Sequence, residues 1–163
     1  MSDYVEAMFS VGDAPWHGIG TVLNNPPTIE QAIKLAGLDW EVRLIPVQTN
    51  YEYAPGMYQN IEIPKRYAIC RMKDDGTIYR VFSEIVTDQY GVLQNTRALE
   101  FFDQVLEEYP DIKLETAGSL KGGEVIWVLA KLSDVMTIGS TKSGQDDRVL
   151  KYLLLSNSHN GKR

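Results

Sequence analysis

Apolar residues recur along this chain with two periods, and the period changes several times. Ile29, Ala32, Ile33 and Ala36 share one face at helical spacing. Thr28-Ile29-Glu30-Gln31 before them fits a capping box, with Thr28 as N-cap and Gln31 at N3. Gly37 is the expected left-handed C′ residue and Leu38 its hydrophobic C″ partner. Trp40, Val42 and Leu44 then alternate with Glu41 and Arg43, the period of a half-buried strand, which Pro46 limits or places at an edge. Arg66 to Met72 and Thr77 to Ser83 are two further strand-like runs. Lys73-Asp74-Asp75-Gly76 between them is a hairpin signal.

Ala98, Leu99, Phe101, Phe102, Val105, Leu106 and Tyr109 carry the apolar face of a second helix, capped by Asn95 or Thr96 and stopped by Pro110. Ile112 to Thr116 and Glu124 to Leu132 read as strands around a turn at residues 118–123. A last strand spans about Val149 to Ser156. Residues 1–25 lack either period, with Ala7-Met8-Phe9 as an apolar anchor. Residues 50–64, rich in Tyr, Pro, Gly and Asn, read as a long loop, and residues 139–147 as a polar one. The order helix, strand, hairpin, helix, hairpin, strand predicts an α+β fold: an antiparallel sheet with β-hairpins packed against one or two helices. The hairpin of Arg66 to Ser83 is expected to lie under the helix ending at Tyr109. Residues 1–27 are expected to form an N-terminal arm and 28–163 the domain.

Size and charge narrow the picture. A chain of 163 residues buries a core without staples. The formal net charge is −6, and residues 1–64 hold two basic side chains against eight acidic ones. That weighs against a generic nucleic-acid binder but leaves room for a local basic groove. The single cysteine, Cys70, permits no intramolecular disulfide and fits a reducing compartment. No signal peptide and no membrane-length apolar run is visible, so the expected location is the cytoplasm of a host cell.

Covalent chemistry finds no support. Cys70 lies inside a strand-like run, where a small buried hydrophobe is expected. No Gly-x-Ser-x-Gly elbow occurs. The two histidines, His17 and His159, are far apart and stand at no metal-ligand spacing. His17 is expected to hydrogen-bond in its turn and His159 to sit at a turn tip. Gly118-Ser119-Leu120-Lys121-Gly122-Gly123 is glycine-rich but leads into a strand, unlike a phosphate-binding loop. No catalytic residue, metal or cofactor is expected, and the protein is read as non-enzymatic.

Non-covalent binding has a better basis. Lys65, Arg66, Arg71, Lys73 and Arg80 cluster around the first hairpin, and Tyr51, Tyr53, Tyr58, Tyr67 and Tyr79 lie among or just before them. Cations that track phosphates, with aromatics that stack bases, are the means of single-strand binding. The five cations are assigned to phosphates, and Tyr67 and Tyr79 to stacking. The structural alternative is a hairpin of solvated charges and core tyrosines. The functional alternative is a protein-interaction or accessory domain acting on a host or phage protein, with the acidic N-terminal part and the Trp16-His17 turn as its surface.

Four motifs in order resemble the phage/plasmid-like protein family of unknown function. They are Pro15-Trp16-His17-Gly18-Ile19-Gly20-Thr21, Ala36-Gly37-Leu38-Asp39-Trp40-Glu41-Val42, Ala117 to Gly123 leading into Val125 to Ala130, and Ser156-Asn157-Ser158-His159-Asn160-Gly161. Trp16, His17, Gly18, Gly20, Gly122, Gly123 and His159 are their distinctive positions. Members of that family run beyond the Ser-His-Asn-Gly turn, so the resemblance covers their N-terminal portion and implies a domain cut short at its C-terminus. The order of Ala32 to Val47, Arg66 to Ser83 and Asn95 to Tyr109 is also similar, more weakly, to single-strand annealing recombinases. That likeness implies single-stranded DNA as a partner, recombination as the setting and a homo-oligomer as the working form.

Overall fold

The computed structural model describes residues 4–15, 18–140 and 146–162, and the side chains of these except 83 and 134–148. Mixed α and β structure with antiparallel hairpins is what the sequence predicts and what is found. The chain divides into two compact units. The larger comprises the chain up to Asp39 and Asn95–Asn157, and the smaller Trp40–Gln94 with the chain from Ser158.

The larger unit holds a five-stranded sheet in the order β2-β1-β6-β7-β8. Its strands are β1 (Val5–Val11), β2 (Thr21–Leu23), β6 (Lys113–Leu120), β7 (Val125–Ser140) and β8 (Asp146–Ser158). β1 runs parallel to β2 and antiparallel to β6, and β6 antiparallel to β7. The first 27 residues are therefore not an arm, because β1 lies between two other strands. The alternation in Ala7-Met8-Phe9 was too short to announce a strand, and pairing on both sides supplies what local pattern lacks.

Cross-strand pairs set the faces of this sheet. Phe9, Ala117 and Val128 align on one face, and all three are fully buried. Gly37 approaches this face, since a Cβ there would lie 3.2 Å from Ala7 Cβ. Gly37 closes helix α1 (Ile29–Leu35) in a complete Schellman motif. Leu38 N–H donates to Ile33 O (2.9 Å) and Gly37 N–H to Lys34 O (3.1 Å). The capping box at Thr28 and Gln31 is also formed. Helix α2 (Asn95–Glu108) lies beside α1, and the buried Asn95 amide donates to Leu38 O at 3.2 Å.

Gly118 is part of β6, so the glycine-rich run is only partly a turn. A Cβ at Gly118 would lie 2.6 Å from the Trp127 ring and 2.7 Å from Met8 Cβ. Its role is close packing under an indole. Gly122 and Gly123 make the β6–β7 turn with φ of 70° and 93°. Gly20 is tight as well, since a Cβ would lie 2.5 Å from Met8 O, whereas Gly18 has open space around it. The expected polar loop at 139–147 is shorter, because β7 runs to Ser140 and β8 starts at Asp146, and residues 141–145 lie outside those described. Trp16 and His17 also lie outside the described residues.

The smaller unit is a three-stranded antiparallel sheet in the order β3-β4-β5: β3 (Val42–Ala54), β4 (Met57–Met72) and β5 (Ile78–Val86). The expected loop at 50–64 is instead the distal half of the β3–β4 hairpin. Tyr, Thr and Ile favour the pleat, and Pro55-Gly56 alone makes the reversal, with Gly56 at φ 74°. Pro46 is accommodated because β3 is an edge strand. The register jumps from Pro46↔Tyr67 to Gln48↔Glu62, a bulge on β4 around Pro64 and Lys65, where Lys65 takes φ 56°. The hairpin of residues 66–83 and helix α2 thus belong to different units.

The expectation for α2 divides between its two phenylalanines. Phe102 is 0% exposed but Phe101 is 55% exposed, because the apolar stripe is narrower than the sequence suggested. Phe102→Ala should cost about 3–5 kcal/mol and Phe101→Ala less than about 1 kcal/mol. Urea titrations of the two variants check the difference.

Candidate nucleic-acid interface

The seven binding residues assigned from sequence do not form a single groove. Arg71 and Arg80 are a direct cross-strand pair of β4 and β5 and share a face. Tyr67, four residues before Arg71 on an unbroken stretch of β4, is on the same face. Arg66 precedes Tyr67 by one residue and so stands on the opposite face; its guanidinium donates to Lys65 O at 3.2 Å. Lys65, at the bulge, reaches Asp88 at 3.9 Å. Lys73 begins the β4–β5 turn, eight residues or roughly 25 Å along the strand from Lys65.

That turn closes through local hydrogen bonds. Lys73 N–H donates to Thr77 O (2.8 Å) and Gly76 N–H to Lys73 O (2.9 Å). Asp75 Oδ1 accepts from Thr77 Oγ1 (2.6 Å) and Thr77 N (2.9 Å), and these bonds hold its carboxyl below the usual carboxylate range. Two carboxylates therefore accompany Lys73. Residues 40–94 as a whole carry six basic and seven acidic side chains, so the excess negative charge lies mostly elsewhere in the chain.

What the fold does assemble is a stack that sequence reasoning found only in part. The Arg71 guanidinium lies 4.4 Å from the Trp40 ring centroid and 4.6 Å from that of Tyr79. Trp40 is buried, whereas Tyr79 is 53% exposed. A cation between two aromatic faces gains about 0.5–2 kcal/mol per contact, more as water is excluded. Trp40 was legible as an inward strand residue, but its partnership with Arg71, thirty-one positions away, had no local signal.

Trp40 continues the stack inward. His159 meets it edge-on at 5.5 Å and lies parallel to Phe82 at 6.0 Å with 20° between planes. His159 is 1% exposed, so the turn-tip expectation is overturned: the turn after β8 carries the imidazole into the core of the smaller unit. Gly161, at φ 74°, permits this. A Cβ there would lie 2.9 Å from both Glu84 Cβ and Val86 Cγ1. Cys70 is buried as expected, and burial pushes its thiol up, away from the reactive thiolate. Among the described residues no group of His, Cys, Asp and Glu is placed to hold a metal ion, and no helix is long and apolar enough to cross a membrane.

Burial brings the His159 pKa down to about 4, so the imidazole is neutral in the folded protein at pH 7. The unfolded chain takes up a proton near pH 6.5, which the folded state refuses until about pH 4. Stability from this residue is full above pH 6.5 and falls as pH drops, by about 1.4 kcal/mol per pH unit in that window. Urea midpoints from pH 7.5 to 4.5 should fall more steeply for the parent than for His159→Gln. Parallel profiles would count against a neutral buried imidazole.

Comparison with known proteins adds one relationship. No curated protein and no solved structure matches the chain. Residues 83–163 match the family model described as Domain of unknown function (DUF932), a stretch that includes α2, strands β6 to β8 and the buried His159.

Proposed function

We propose that this chain is a non-enzymatic DNA-metabolism protein of phages and plasmids that binds single-stranded DNA through the smaller unit. The observation carrying the reading is the Tyr79–Arg71–Trp40 stack with Arg80 paired beside it. Arg71 covers one face of Tyr79 and holds the ring in place, while about half of the residue faces solvent. A base stacks on that open side without using its pairing edge, and annealing requires those edges to stay free. Arg80 and Lys73 are the cations nearest in sequence for the flanking phosphates, Lys65 at the bulge serves a strand that continues along β4, and Arg66, on the opposite face, lies outside this path. With a net charge of −6, binding is modest and falls steeply with salt. Cytoplasmic location in a host cell goes with this reading.

A second reading, a protein-interaction module, draws on another observation. The distal β3–β4 ribbon carries no basic residue between Gln48 and Glu62, yet exposes Tyr51, Tyr53, Tyr58 and Ile61. Tyrosines expected to accompany the cations are thus separated from them by the bulge.

Fluorescence anisotropy with a labelled single-stranded oligonucleotide, at low and moderate salt, tests the first reading. Tyr79→Ala should weaken binding by about 1–3 kcal/mol, while Tyr79→Phe retains most of it. Arg80→Ala should reduce the slope of log K against log salt by about 0.7 and weaken all sequences alike. A folded protein that binds no oligonucleotide at low salt sinks the proposal and favours the interaction module.

A further inference from the structure

The three-stranded sheet has one covered face and one open face. Trp40, Phe82 and His159 pack on the first. The registers place Ile45, Ala68 and Ile85 together on the second, with Arg43 and Val81 beside them on either side of the buried Cys70. Beyond the bulge, Thr49↔Ile61 and Tyr51↔Gln59 show that Thr49, Tyr51 and Tyr53 share a face with Ile61 and Ile63. Alternation along β3 makes this face continuous with Arg43 and Ile45. The other side of the ribbon is mostly polar, with Gln48↔Glu62 and Asn50↔Asn60 as pairs and Tyr58 opposite Glu52. The ribbon is therefore amphipathic, and its apolar side faces solvent.

We propose that this open face is where a second copy of the chain docks, sheet face against sheet face about a two-fold axis. Three observations favour a copy over other occupants. The first is area. Tyr51, Tyr53, Val81 and Ile85 are each more than half exposed, and Ile61 and Ile63 about two-fifths. Large apolar side chains present roughly 150–250 Å² when free, so these six offer on the order of 600 Å². With the partly exposed Ile45 and Val47 between them, that approaches the roughly 800 Å² per partner of a standard interface.

The second observation is charge. Glu41 and Arg43 neutralise each other at 2.7 Å at one end of the face, and Glu52 and Glu62 point to the other side of the ribbon. Apart from Arg66 at the bulge, the face carries no unbalanced charge to repel its own copy, and an isologous contact requires that. It also offers no cation to a nucleic acid between Gln48 and Glu62. The third is the ribbon itself. Two strands exposed on both faces are marginal in water, and a facing sheet about 10 Å away supplies the missing layer.

Sedimentation velocity of the full chain across a concentration series, without oligonucleotide, tests this independently of nucleic-acid binding. The expected result is a concentration-dependent dimer. Ile85→Glu and Tyr53→Glu should each raise its dissociation constant about tenfold or more. Phe101→Glu, on the exposed side of α2, should leave it unchanged. Circular dichroism checks folding, and Tyr53 lies far enough out on the ribbon to stand as the test if Ile85→Glu disturbs the sheet. A monomer at all concentrations overturns the proposal. So does a dimer that survives both glutamates, or one lost only with Phe101→Glu.

Discussion

A three-stranded sheet cannot bury a core by itself, and the smaller unit depends on how that deficit is met. The cover comes from the two ends of its sequence: Trp40 just before β3, and the turn after β8 that sets His159 against both Trp40 and Phe82. An imidazole in this place is neutral, because burial takes away the water that would solvate its charged form. The pKa near 4 expresses that constraint. Gly161 makes the insertion sterically possible, and Arg71 closes the outer side of Trp40. Removing any of these leaves an indole or a sheet face without its neighbour.

The β4 bulge at Pro64 and Lys65 divides the same sheet into two chemistries. On one side lies a compact body with a cation held between aromatic faces and a second arginine alongside. On the other lies a ribbon with one apolar side, one mostly polar side and no basic residue between Gln48 and Glu62. A three-residue change in register is enough to separate them, because a strand's side chains keep their faces only while pairing is continuous. Nucleic-acid binding and self-association are proposed for different surfaces because the Arg71–Arg80 pair and the Ile45–Ala68–Ile85 row lie on opposite faces of the sheet.

The larger unit obeys a different constraint, the close approach of backbones in its sheet. Gly118 and Gly20 both sit where a single added carbon would overlap Met8. In the sequence, Gly118 reads as the start of a glycine-rich turn between two strands. In the sheet it is a packing residue beneath Trp127. A glycine-rich run has many uses, and what stands next to the backbone selects among them.

Local physics was sufficient for elements whose signals are complete within a few residues. The capping box and Schellman motif of α1, the Lys73–Gly76 turn and the buried side of α2 at Phe102 follow from short-range sterics and helical period. Tertiary structure decided the rest. β1 is a strand because it is paired on both sides, and the tyrosine-rich segment is a ribbon because Tyr, Thr and Ile pair across a two-residue reversal. His159 lies in a core because a distant sheet needed a cover. Each of these depends on contacts between residues far apart in sequence. The net gain from such contacts exceeds local preference, and the sequence pattern around any one residue carries no record of it.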